Sequence, residues 1–216
     1  MPDYTVQRLN MVESQVRTND VADVRIQEAM REIPREQFVP GPKRALAYAE
    51  NVVELVPGRY LLDPRTFSKL AQLAEIRPND AILDVGCASG YSSAVLARLG
   101  GKVIALEEDA ELIRIASDAL PSIGERVTVV QGKLSDGYRA RAPYDVIFLG
   151  GAVEAVPNAL KAQLAEGGRL ITVIRKGPLG RAHLFVREHG RVGSRPDFDA
   201  NVPILPGFRE PAGFVF

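Results

Sequence analysis

Cysteine occurs once in this 216-residue chain and histidine twice. A single thiol cannot form an internal disulfide, and Cys87 with His183 and His189 has no metal-ligand spacing, so disulfide-stapled and zinc-bound classes are excluded. Net charge is also missing: 27 basic residues balance 27 acidic ones and the pI is near 6.8. No global field draws the chain to nucleic acid or an anionic membrane, and any ligand must be recognised locally. No stretch approaches the roughly 18 unbroken apolar residues of a membrane helix, and the amino end lacks the apolar core of a signal peptide. These absences predict a cytoplasmic protein without membrane or nucleic-acid partners.

With 46% hydrophobic residues the chain has enough apolar material for a sizeable core. Its amino end predicts two amphipathic helices, one on Val6, Leu9, Val12 and Val16, the next after Asp23 on Val24, Ile26, Ala29, Met30 and Ile33. Asp63-Pro64 then supplies a helix cap followed by proline at the first helical position, after a loop rich in Pro and Gly. From Ala81 onward short apolar strands alternate with helices: strands at 81–85, 102–106, 126–130, 144–149 and 169–174, helices near 89–99, 110–120 and 156–164. Such alternation specifies a parallel sheet covered on both faces. Beyond Gly177, pieces at 182–187, 202–205 and 214–216 predict an antiparallel edge, with a turn at His189-Gly190. One domain over 1–216 is expected: amino-terminal helices and a loop at 1–76, a central core at 77–176 and the antiparallel edge at 177–216.

The chemistry concentrates in AILDVGCASGYSSAVLARLGGKVIALEED, residues 81–109. A strand ending in Gly86-Cys87-Ala88-Ser89-Gly90 and feeding a helix presents free backbone N–H groups and the positive helix end at the carboxyl edge of a sheet. Glu107 closes the next strand 21 positions after Gly86, the offset at which an acid accepts hydrogen bonds from a ribose diol. A dinucleotide turn needs G-x-G-x-x-G; here the middle position is Ala88 and the last glycine follows the first by four. Asp84 beside the turn suits a ligand with positive charge, such as the ammonium and sulfonium of S-adenosylmethionine. A sulfonium cofactor, a dinucleotide and an empty structural turn all remain open on these residues.

Six segments carry a resemblance: MVESQVRTNDV, EAMREIPREQFVP, ALAYAE, ILDVGCASGYSSAVLARLGGKVIALE, APYDVIFLGGAVEAVP and LKAQLAEGGRLITVI. Over nearly its whole length the chain resembles the protein-L-isoaspartate O-methyltransferase family. The resemblance implies a Rossmann-like class I methyltransferase fold, mostly parallel and seven-stranded, with helices on both faces and an amino-terminal helical extension. It further implies S-adenosylmethionine as methyl donor and, as acceptor, the α-carboxylate of L-isoaspartyl (or D-aspartyl) residues in damaged proteins, so that the partner is a protein or peptide substrate carrying a carboxylate. Carried over by position, Asp84, Gly86 and Gly90 match the cofactor motif, Cys87, Ala88 and Ser89 complete its loop, and Glu107 matches the ribose acid.

Two positions depart from the family pattern. Its substrate loop reads about G-Q-T-I-S-x-P, whereas the counterpart here is Gly58-Arg59-Tyr60-Leu61-Leu62-Asp63-Pro64, with Leu62 in place of the hydroxyl. Its G-D-G after the third strand is here Gly132-Lys133-Leu134, so Lys133 replaces an acid near the adenine and only main-chain groups around Leu134 are left to recognise it. Arg59, Tyr60 and Leu62 are therefore the candidate acceptor pocket. Arg59 reads either as a cation that holds a carboxylate or as a solvated loop charge. Leu62 reads as packing beneath the loop, Asp63 as the helix cap, Lys133 as a solvent-facing charge or an adenine neighbour, and Cys87 as a packing residue. A carboxylate is already ionised at neutral pH, with a pKa near about 4, so the transfer needs orientation rather than a general base and no catalytic residue is assigned.

Overall fold

The computed structural model describes residues 3–124 and 126–210. The expected carboxyl-terminal piece at 214–216 lies outside the described residues.

Helix α1 (Tyr4–Met11) is capped by Asp3, whose side chain accepts from Thr5 and Val6 N–H, and runs into a wider turn at Val12–Val16. Here the sequence expectation needs correction. Val12 and Val16 are buried, but Val6 and Leu9 are 50% and 44% exposed, because the buried stripe of the helix begins only at Met11. α2 (Val24–Glu32) starts at its Asp23 cap and stops before Pro34, with Val24 exposed and Ile26, Ala29 and Met30 buried. α3 (Pro64–Leu73) is capped by Asp63, which accepts from Thr66 N–H at 2.8 Å, as the Asp-Pro pair predicts.

The segment expected to be a loop is instead a hairpin, β1 (Val53–Val56) and β2 (Arg59–Leu61), joined at Pro57-Gly58 with Gly58 at φ +75°. Among the described residues these two strands pair only with each other.

The main sheet contains β3 (Ile82–Val85), β4 (Val103–Glu107), β5 (Val127–Gln131), β6 (Tyr144–Val153), β7 (Leu164–Lys176), β8 (Leu179–Glu188) and β9 (Arg191–Asp199) in the order β5-β4-β3-β6-β7-β8-β9. Pairs from β5 to β7 are parallel; β8 and β9 are antiparallel. α4 (Tyr91–Leu99) connects β3 to β4, and α5 (Ala110–Ala119) connects β4 to β5. The predicted helix at 156–164 shrinks to one turn, α6 (Asn158–Lys161), because Leu164 already opens β7.

Strand periodicity divides the core in two. Ile82, Val146, Phe148, Ile171 and Val173 face one apolar cluster with α2, α3, α4 and α5, whereas Leu83, Ile147, Leu149 and Leu170 face another. That second cluster is covered by α6, the short turn at Leu134–Asp136, and Leu205 and Phe208. Residues 202–205, expected as an antiparallel strand, form a strap over the carboxyl end of β6, with Ile204 bridging Ala152 in parallel. Ala152 N–H donates to Pro203 O and Leu205 N–H to Ala152 O, at 2.9 and 2.8 Å. The hairpin turn at His189-Gly190 is as predicted, both residues having positive φ.

Away from the glycine turn, Arg169 ties the sheet to the end of α3. Its guanidinium donates to Asp80 Oδ2 at 2.7 Å and to the carbonyls of Ala74, Glu75 and Asp145. Removing the cation leaves the buried Asp80 carboxylate without its counter-charge, though still bonded to Arg77 N–H, and takes a donor from three carbonyls, so Arg169→Met is expected to cost about 3–5 kcal/mol. Urea unfolding checks this as a lowered midpoint at unchanged slope; a loss below about 1 kcal/mol would contradict the clamp.

Candidate functional site

The strand order reverses direction at β3: the chain runs outward through β4 and β5, then returns to place β6 on the other side of β3. A crevice at the carboxyl ends of strands forms at such a switch, and here the turn 86–90 occupies it. Gly86 and Gly90 lie at φ +72° and +95°, conformations that suit glycine. Ala88 also has positive φ, +51°, at a local cost of roughly 1–2 kcal/mol for an L-residue. Its N–H is held by Glu107 Oε2 at 2.9 Å. The acid that spacing alone paired with the turn therefore touches it directly.

Glu107 is completely buried and its oxygens are engaged on every side. Oε1 accepts from the N–H groups of Glu108 and Asp109, at 2.9 and 3.2 Å. Oε2 accepts from Ala88 and from the guanidinium of Arg59, itself buried. Arg59 is thus neither a solvated charge nor free to hold an external acid. The hairpin inserts it into the crevice as the partner of Glu107.

Leu205 closes the other side. A Cβ built on Gly86 would stand 3.0 Å from Leu205 Cδ2 and 3.3 Å from Arg59 Nη2. Gly150 and Gly151 on β6 permit this approach: a Cβ on the first would meet Gly86 O at 2.5 Å, and one on the second Leu205 Cγ at 2.9 Å. What remains is a cavity of about 10 Å³ lined by Gly86, Cys87, Ala88, Leu62, Tyr91 and their neighbours, and another of about 10 Å³ beside Arg59, Leu62 and Leu205. Each has room for about one water, whereas drug-sized ligands occupy roughly 300–1,000 Å³. In this conformation the residues present do not fit an adenosyl group.

Polar chemistry nevertheless persists around the filled turn. Asp84 Oδ2 accepts from the hydroxyls of Ser92 and Ser93, each at 2.6 Å, but Asp84 Oδ1, Ser89 Oγ and Arg59 Nε are buried without a partner among the described residues. Leaving such atoms unsatisfied costs about 1–3 kcal/mol each. Burial pushes the Asp84 carboxyl up to about 6, despite the two hydroxyls that favour its charged form. Burial also pushes the Cys87 thiol well up, which fits a packing residue rather than a nucleophile.

The other predicted positions separate. Leu62 is buried and lines the closed cavity, and its carbonyl accepts from Arg35 at 2.5 Å. Tyr60 is partly exposed opposite Glu54 on the hairpin. Lys133 is exposed and makes no side-chain hydrogen bond among the described residues, while Leu134 sits wholly inside the second apolar cluster. His183 lies on β8 and His189 in the exposed turn.

Arg35 and Leu205 escaped the sequence reading. Arg35 is fully buried, donates to Ala47 O and Leu62 O, and places its guanidinium carbon 4.7 Å from the centroid of the Tyr91 ring. An arginine amid the core residues of REIPREQFVP was the available signal; Leu205 offered none. A far roomier open cavity, about 790 Å³, lies elsewhere: residues such as Asp63, Arg65, Lys176, Arg181 and Asp199 line it, and none of residues 84–90 does.

Comparisons with known proteins find relatives of this chain in sequence and in fold. The sequence profile of the protein-L-isoaspartate(D-aspartate) O-methyltransferase family matches residues 7–197. The chain is 34% identical over 195 residues to a protein-L-isoaspartate O-methyltransferase of Koribacter versatilis, covering 88% of each chain. It is 37% identical to one of Aeropyrum pernix, covering 90% of this chain and 84% of the other. Among solved structures, a protein-L-isoaspartate O-methyltransferase superposes with a TM-score of 0.81 at 25% identity, covering 93% of this chain and 66% of that one. A Plasmodium falciparum protein in complex with S-adenosyl-L-homocysteine gives a TM-score of 0.79 at 18% identity, covering 92% and 97%, a likeness of fold.

The Asp84 carboxyl gives a pH test. Its value rises from an ordinary 3.8 to about 6 on folding, so the folded state holds the proton more tightly. The resulting stabilisation is present below about pH 4 and is lost as pH rises through about 6. Asp84→Asn should therefore be more stable than the parent by roughly 3 kcal/mol at pH 7.5, and by under about 1 kcal/mol at pH 4. Denaturant midpoints at the two pH values measure this; a pH-independent difference would contradict it.

Proposed function

The chain belongs to the protein-L-isoaspartate(D-aspartate) O-methyltransferase family, S-adenosylmethionine-dependent enzymes of protein repair, and from that premise we propose that it methylates the carboxylate of isoaspartyl residues in protein substrates. The observation that carries this reading is the direct bond between Ala88 N–H of the glycine turn and Glu107 at the end of the neighbouring parallel strand. Strand, glycine turn, helix and acid meet at the switch point of the sheet, where an adenosine-type ligand is recognised in α/β folds. When bound, the donor supplies an activated methyl group. Asp84, Gly86, Cys87, Ala88, Ser89, Gly90 and Glu107 make up the proposed seat, with Lys133 and Leu134 beside it just after Gly132, whose N–H donates to Glu107 O at 3.0 Å.

The chain's own contribution is orientation and exclusion of water, since an ionised carboxylate needs no base. Arg59, Tyr60 and Leu62 lie on or beside the hairpin at the mouth of the turn. The open groove beside Asp63 and Arg65 offers an extended peptide a path along the carboxyl end of β7. Cytoplasmic location and independence from nucleic acid belong to the same proposal; among the described residues no helix is long and apolar enough to cross a membrane. The filled turn favours one second reading, a family member that no longer binds the donor.

Leu62 lacks the hydroxyl of the family's loop, a loss of roughly 1.5–3 kcal/mol for a hydrogen bond to a charged group. Purified protein incubated with S-adenosylmethionine and an isoaspartyl peptide should yield a base-labile methyl ester, about ten- to a hundredfold more slowly than a relative bearing Ser or Thr there. Leu62→Ser should raise the rate. No ester beside a working relative would remove isoaspartate as substrate.

A further inference from the structure

Resting on the methyl-donor reading of the crevice, we propose that Arg59 is a latch: its ion pair with Glu107 holds the cofactor seat shut in the ligand-free protein, and the donor binds only after the guanidinium has left.

Geometry supplies the first support. Glu107 is the acid that would accept the ribose hydroxyls, and Arg59 already occupies its Oε2. Arg59 and Leu205 together reduce the space at Gly86 to cavities of about 10 Å³. The guanidinium therefore blocks the acceptor atom and, together with Leu205, the volume.

The second support separates a latch from a seat filled for good. A permanently rebuilt core satisfies its polar atoms, but here Asp84 Oδ1, Ser89 Oγ and Arg59 Nε are buried without partners among the described residues. Arg35 Nη1 and Tyr91 OH, which line the same closed cavity, are unpartnered as well, so five of the seven such atoms among the described residues gather at the closed seat, the others being Gln15 Oε1 and His183 Nδ1. A ligand with donors and acceptors at those positions would relieve them, which gives the open state a differential interaction free energy when the ligand is present.

The third concerns what can move. Arg59 sits on a two-stranded sheet that is not hydrogen-bonded to the seven-stranded one, and Val53, Leu55, Val56 and Leu61 hold that hairpin to the main apolar cluster by packing. Among the described residues no backbone-to-backbone hydrogen bond joins residues 53–61 to the rest of the chain. A polar tie is Lys43 Nζ donating to Glu54 O at 2.7 Å, besides the Arg59 pair itself. Glu107, by contrast, keeps three backbone N–H donors when Arg59 departs. The acid stays in place and hydrogen-bonded while its cation leaves.

Apparent affinity then equals intrinsic affinity multiplied by the open fraction. The test is calorimetric titration with S-adenosyl-L-homocysteine of the full chain, Arg59→Gln and Leu205→Ala, with stopped-flow association of the same ligand. Arg59→Gln should bind at least about tenfold tighter than wild type, and Leu205→Ala tighter as well. The observed rate for wild type should level off with ligand concentration at the opening rate, while that for Arg59→Gln rises linearly. Equal affinity with linear kinetics for both, or weaker binding by Arg59→Gln, would overturn the latch and leave the methyltransferase reading intact. No binding by any of the three folded proteins would overturn both.

Discussion

The ion pair of Arg59 and Glu107 is the contact on which the rest of the site depends. Both charges are buried, and desolvating them costs several kcal/mol per ion before their attraction is counted. Such a pair is poor evidence of net stability. Its effect is conformational: it fixes the hairpin against the carboxyl edge of β4, and through Ala88 N–H it also touches the glycine turn. Three backbone donors keep Glu107 oriented independently of Arg59. The asymmetry matters, since one partner is anchored by backbone hydrogen bonds to the sheet and the other sits on a hairpin held to the body by apolar packing.

The turn is pressed from two sides by elements distant in sequence. Gly150 and Gly151 let β6 and the strap approach the turn more closely than any side chain would allow, and the strap brings Leu205 over Gly86. Closure therefore uses the same close packing that builds the crevice. Around it, the family's architecture is intact: a parallel core, a switch point at β3, and an acid at the end of β4.

Much of this was legible in the chain. Alternating strands and helices located the parallel strands to within a few residues because each strand is a short apolar run between turns. Asp63-Pro64 announced α3, and the interval from Gly86 to Glu107 predicted a pairing that proved to be a direct hydrogen bond. Periodicity failed where burial depends on neighbours: Val6 and Leu9 match a helical stripe yet face outward. The hairpin at 53–61 was obscured because Pro and Gly dominate its turn, although Pro57-Gly58 between two apolar runs is a hairpin signal. For the same reason Arg59 read either as a cation holding an external carboxylate or as a loop charge, and its pairing with Glu107 was not foreseen. Leu205 could not have been found, since its role arises from a strap crossing a sheet edge rather than from any local pattern.

A crystal structure of the protein grown with S-adenosyl-L-homocysteine tests the central claim most directly. The account predicts the ligand over the glycine turn with its ribose on Glu107, the Arg59 guanidinium withdrawn from that acid, and residues 53–61 displaced relative to the ligand-free chain. Ligand bound at the turn with the Arg59–Glu107 pair undisturbed would contradict it.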